Sequence, residues 1–127
     1  MPVKGVGLDI IRIERIKGVY SRRPERFLQR IFTDKERSAL LEKKNMIPSL
    51  ATRFAAKEAV SKALGCGIGA ISWREIEISA APGGKPVVSL TGKAAAWAEE
   101  HGIEVVHISM SHDGLYAAAT AVAEGSR

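Results

Sequence analysis

Apolar and polar positions change period several times along the chain, and each change marks an element. Val3 to Ile10 has the two-residue period of a strand, with Gly5, Gly7 and Asp9 on one face and Val6, Leu8 and Ile10 on the other. Its apolar content predicts a buried strand with Asp9 near its end, on the face cleared by two glycines. A three-to-four-residue period then predicts helices over Ile11 to Val19 and Pro24 to Ile31. Thr33-Asp34-Lys35-Glu36 has the spacing of a capping box and opens a third helix reaching about Lys43. Pro48 suits the first turn of a longer helix that stops at Leu64 before Gly65 and Gly67. Ser72 to Ala80 and Pro86 to Leu90 read as strands joined at Pro82-Gly83-Gly84. Thr91 to Glu100 reads as a helix with Gly102 beyond it. Val105 to Met110 and Leu115 to Val122 read as two last strands, turning at His112-Asp113-Gly114. Strand, helices, hairpin, helix, hairpin is an α+β order. It predicts a largely antiparallel sheet packed with one long helix and several shorter ones.

Composition narrows the class. The 127 residues suit a single domain spanning 1–127, and 46% hydrophobic with 26% charged residues is ordinary globular usage. No apolar run approaches the roughly 20 residues of a membrane span, and the N-terminus lacks the pattern of a secretory signal. The expected location is therefore the cytoplasm. One cysteine, Cys66, excludes an internal disulfide and a multi-thiolate metal site. The net charge is +5, and the stretch from residue 12 to 30 alone holds seven basic residues against two acidic ones. Such a segment suits either an acidic partner or a solvated arginine face.

Three groups of side chains have chemical potential. Asp9 and Glu58 are hard oxygen donors of the kind that hold magnesium with substrate phosphates, if the first strand packs on the long helix. Glu58 and Lys62 stand four apart, which taken alone reads as a surface ion pair. The glycines at 65, 67 and 69 leave backbone N–H groups able to approach a phosphate, although a helix C-terminus has the wrong dipole end for an anion. His107, Ser109 and Ser111 share one face of a strand, with Ile108 and Met110 facing the core. That polar face suits phosphate or sugar binding, or an edge strand facing water. His112 belongs to the turn, and no nucleophile elbow accompanies these serines.

Taken in order, three motifs say more than any one of them. Gly5-Val6-Gly7-Leu8-Asp9-Ile10, Phe54-Ala55-Ala56-Lys57-Glu58-Ala59 and His107-Ile108-Ser109-Met110-Ser111-His112 resemble the signature of the holo-acyl-carrier-protein synthase family. This is the short bacterial type of 4'-phosphopantetheinyl transferase. Lys62-Ala63-Leu64-Gly65 and Gly84-Lys85-Pro86 extend the resemblance over almost the whole chain. It implies transfer of 4'-phosphopantetheine from coenzyme A to a serine of apo-acyl carrier protein, releasing 3',5'-ADP, in fatty acid biosynthesis. It also implies Mg2+ on Asp9 and Glu58, with Glu58 a base for the serine. Arg53, Lys62, the Gly65–Gly67 loop and His107 would hold coenzyme A. Arg15, then Arg22, Arg26 and Phe27, would dock the acidic carrier. A homotrimer with active sites shared between subunits is the assembly the family suggests. Cys66 departs from the small polar residue expected in its loop.

Two other classes compete. A nucleic-acid module would use the arginines, but only Tyr20 and Phe27 offer stacking beside them, so neither nucleic acid nor membrane is an expected partner. A non-catalytic carrier-binding relative would keep Arg15 and lose the carboxylates.

Overall fold

The structure, a computed structural model, describes residues 1–126. Ten elements follow in the order β1 (Val3–Arg12), α1 (Ile13–Arg22), α2 (Pro24–Ile31), α3 (Asp34–Leu41), α4 (Met46–Leu64), β2 (Ile76–Ala80), β3 (Pro86–Leu90), α5 (Gly92–Glu100), β4 (Val105–His112) and β5 (Tyr116–Glu124). A short 3-10 turn, Trp73–Glu75, precedes β2. The strands form two antiparallel sheets, a three-stranded one in the order β1-β5-β4 and the β2-β3 hairpin. The expected α+β class with antiparallel pairing is what the chain adopts. No helix among the described residues is long and apolar enough to cross a membrane.

Helix α4 lies against the three-stranded sheet through very small side chains. Ala119, Ala121 and Ala123 of β5 and Ala55, Ala59 and Ala63 of α4 are all at most 2% exposed. On β1 the facing residues are Gly5 and Gly7, where an added Cβ would collide with the carbonyl oxygens of Ala63 and Ala59 respectively. Glycine is required there by close approach of two backbones. A second apolar cluster, including Phe32, Leu40 and Leu50 at 0% exposed, ties α1, α2 and α3 to the start of α4. Burying each of these side chains contributes about 1.5–3 kcal/mol.

Several boundaries differ from the sequence expectation, each for a local reason. β1 runs to Arg12 and α1 begins at Ile13, because Ile11 and Arg12 pair with Ala117 and Tyr116. The first helical N–H, that of Ile13, then donates to the Leu115 carbonyl at 2.9 Å, a tertiary substitute for a side-chain cap. Asp9 consequently lies inside the strand, opposite Ala119, and not at its end. Nor is β1 buried on both faces: Val6, Leu8 and Ile10 are 63–65% exposed. Ser72 to Glu75 is not strand; Ser72 and Glu75 form a capping box around the 3-10 turn. β4 continues through Ser111 and His112, so His112 closes a strand and the turn shifts to Asp113–Leu115. There the Asp113 carboxylate accepts from the N–H groups of Leu115 and Tyr116. The Thr33 capping box opens α3 as expected, and α3 ends at Leu41.

Candidate active site

Asp9 comes from the glycine-cleared face of β1 and Glu58 from the α4 face that meets it. The Asp9 side chain is 16% exposed. Its Oδ1 accepts from the Lys62 ammonium at 3.2 Å, and Lys62 also donates to the Leu8 carbonyl at 3.0 Å. Lys62 therefore bridges α4 to β1 instead of forming the simple surface pair with Glu58 that their spacing allows. Asp9 Oδ2 is buried and has no hydrogen-bond partner among the described residues. Burial first, and then the Asp9 charge, push the Glu58 carboxyl above the usual glutamate range, with Lys62 opposing. An orphaned carboxylate oxygen beside a second, destabilised carboxylate fits a hard divalent cation. No group of three His, Cys, Asp or Glu suited to a metal exists among the described residues, so other ligands would have to come from substrate and water.

The pair stands in a cleft of about 1170 Å³ between β1, α1, α2 and α4. Six arginines (12, 15, 22, 23, 26 and 30) line it against three carboxylates, Asp9, Glu14 and Glu58. One wall is aromatic: Phe54 stacks on Trp73 with centroids 4.7 Å apart and on Phe27 at 6.3 Å. The cleft thus offers an anionic ligand an arginine rim, an apolar wall and a metal-competent floor.

The structure brings together Asp9, Glu58, Lys62, Arg15, Arg22, Arg26 and Phe27. Arg53, Gly65, Gly67 and His107 do not line that cleft. Arg53 lies one helical turn from Lys57, where burial pushes its guanidinium down and the Glu36 charge opposes the shift. The Gly65 N–H caps α4 on the Ser61 and Lys62 carbonyls, and the Gly67 N–H donates to Ser61. Those two donors are spent on the helix end, so neither is free for a phosphate as the sequence suggested. Burial pushes the half-buried Cys66 thiol up, which suppresses its thiolate. His107 pairs with Val122, itself opposite Val6, so it shares the outer sheet face with Val6 and not the Asp9 face. Its Nε2 lies 2.6 Å from Glu124 Oε1.

Sequence reasoning missed Trp73, Arg23, Arg30 and the buried Lys57–Glu36 pair. Arg23 and Arg30 belong to the noted basic stretch, and Ser72-x-x-Glu75 carries a legible cap signal that would have turned Trp73 out of a strand. Nothing local marks Lys57 as buried.

Known proteins resemble this chain over nearly its full length. A sequence model described as the 4'-phosphopantetheinyl transferase superfamily matches residues 5–121. The holo-acyl-carrier-protein synthase of Caldanaerobacter subterraneus subsp. tengcongensis is 52% identical over 120 residues, 94% of each chain. The crystal structure of the enzyme of that name from Neisseria meningitidis superposes with a TM-score of 0.90 at 38% identity, covering 97% of this chain and 99% of its own. That of Helicobacter pylori, in complex with coenzyme A, gives 0.83 at 34% identity, covering 94% and 99%.

Proposed function

The chain belongs to the 4'-phosphopantetheinyl transferase superfamily, and on that premise we propose how its residues divide the work. It is a holo-acyl-carrier-protein synthase: it transfers 4'-phosphopantetheine from coenzyme A to the serine of apo-acyl carrier protein, releasing 3',5'-ADP, and serves lipid biosynthesis. The serine oxygen forms a bond to the β-phosphorus of coenzyme A as the bond to the 3',5'-ADP oxygen breaks.

Asp9 and Glu58 hold Mg2+, and the orphaned, buried Asp9 Oδ2 beside Glu58 is the observation that carries this assignment. Bound there, the ion supplies neutralisation of the charge growing on the phosphoryl oxygens and the leaving phosphate. Glu58 also receives the serine proton, directly or through a water. Lys62, already at the carboxylate pair, offers its ammonium to a coenzyme A phosphate. Arg15, Arg22, Arg26 and Phe27 receive the acidic carrier across the cleft rim.

The nucleotide end of coenzyme A is assigned to Arg53, His107 and the Gly65–Gly67 loop, which contributes the open space beside its glycines and not the N–H groups held by the end of α4. Because His107 stands on the opposite sheet face from Asp9, these groups can serve one site only if subunits share it. A homotrimer of single-domain 1–127 subunits, built on the exposed Val6, Leu8 and Ile10 face, meets that need. The cytoplasm, where coenzyme A and the carrier meet, is the proposed location.

The test is to incubate the protein with coenzyme A, Mg2+ and apo-carrier and weigh the carrier. The carrier should gain the mass of one phosphopantetheine, and chelation of the metal should stop the gain. Glu58→Gln should lower turnover by at least about a hundredfold while carrier binding stays near that of the parent. Full activity in that variant would remove Glu58 from the chemistry.

A further inference from the structure

The residue next to Glu58 points the other way. Lys57 is 0% exposed, and its ammonium has three acceptors: Glu36 Oε1 at 2.6 Å, the Ile31 carbonyl at 2.7 Å and the Trp73 carbonyl at 3.1 Å. Three donors meet three acceptors, so the buried charge is fully satisfied. Burial lowers the proton affinity of Lys57, and Glu36 opposes that. Glu36 is 2% exposed and equally committed. Its Oε1 also accepts from the Thr33 N–H at 2.9 Å, and its Oε2 from the Ile78 N–H at 2.8 Å.

The partners of Lys57 are not scattered. Ile31 ends α2, the helix carrying Arg26 and Phe27, and it lines the cleft. Trp73 lines the same cleft and stacks on Phe54. Glu58, one residue along α4, lines it too. Lys57 therefore grips from behind the wall segments whose fronts face the substrate. The seam between β1 and α4, where Asp9 and Lys62 meet, has no bond to it.

We infer that Lys57, locked by Glu36, is a positioning residue that sets the spacing between the carrier-docking helix α2 and Glu58. The inference rests on the docking and catalytic assignments proposed above. A fixed gap matters because the carrier brings its serine in from the α2 side, whereas coenzyme A is held from the β1–α4 side. An ångström of drift in α2 would misplace the serine and leave coenzyme A where it was. The pair is also costly to bury compared with apolar residues of similar volume. Its three-element grip gives that expense a mechanical return.

The experiment compares the parent with Lys57→Met/Glu36→Gln, which removes both charges together, and with Glu36→Gln alone, which retains the carbonyl contacts of Lys57. The thermal midpoint, kcat and the separate KM values for coenzyme A and apo-carrier are measured for each with Mg2+. Positioning predicts an approximately tenfold rise in carrier KM and a fall in kcat for the double variant, with coenzyme A KM within twofold of the parent. Glu36→Gln leaves the buried Lys57 ammonium without its counter-charge and should show the same split at least as strongly, with a lower thermal midpoint; either variant that folds carries the test. A folded variant in which neither KM moves, or in which both rise together with the loss of thermal stability, would overturn the inference. Arg26→Glu is measured beside them. If it leaves carrier KM unchanged, the docking assignment fails and the latch with it. If Arg26→Glu raises carrier KM while the Lys57 and Glu36 variants show no split, the latch alone fails.

Discussion

At the residue scale, a missing side chain sets how closely β1 approaches α4 beside the candidate active site. Gly7 lets β1 settle onto the Ala59 carbonyl, and that contact delivers Asp9, two residues on, to the side of Glu58. Gly7→Ala must move the strand away from α4. A loss of about 1–3 kcal/mol in urea unfolding is expected, with transfer activity falling further than stability because the carboxylates separate. The glycine face was legible from alternation, but the contact it permits was not: periodicity says which side a residue faces, not what stands there. Asp113 offers a test by pH. The N–H groups of Tyr116, then Leu115, hold its carboxyl below the usual aspartate range. A carboxyl whose proton affinity is depressed on folding stabilises the fold above its unfolded pKa of about 3.9 and loses that contribution as pH falls through the folded value. Asp113→Asn should therefore lower the thermal midpoint at neutral pH, and the gap from the parent should close on acidification below about pH 4.

At the scale of elements, α1 and α2 together present the arginine rim. Arg15 sits on α1 in the cleft with Asp9 and Glu58. Arg15→Glu should lower kcat/KM for the carrier on the order of tenfold, leave coenzyme A KM nearly unchanged and flatten the salt dependence. Steady-state kinetics at several ionic strengths would check it; equal loss for both substrates would place Arg15 elsewhere. Helices with local start signals were readable, as Pro24 of α2 and the Thr33 cap of α3 show. The start of α1 was not, because its cap is the Leu115 carbonyl, about a hundred residues distant in the chain. For the same reason Lys57 read as one more charged helix position: its three acceptors belong to other elements. The Asp9–Glu58 pairing was visible only through the order of three motifs, since no local rule joins a strand to a helix nearly fifty residues later.

At the scale of the whole molecule, one sheet face presents exposed apolar side chains. Val6, Leu8 and Ile10 are exposed beside Ala118, Thr120 and Val122, and His107 stands on that same face. If the proposed trimer forms on this face, Leu8→Asp should turn a trimeric parent into a folded monomer by light scattering and analytical ultracentrifugation, with coenzyme A affinity reduced about tenfold through loss of the proposed His107 contact. A variant that stayed trimeric, or a monomer with undiminished affinity, would count against the shared-site assembly.

The alanine layer between α4 and β5 has a consequence for how this chain can change over generations. Where both surfaces are already close to the smallest side chains available, almost every replacement is an enlargement. Positions such as Ala59, Ala119 and Ala121 therefore have few viable neighbours in mutational space, and drift must be absorbed on the outer surfaces and loops. A mutational library should show this as a depleted strip across the middle of the domain. Selection for folding alone would then keep the backbones of α4 and the sheet at a fixed separation, even in a lineage where the reaction was no longer required.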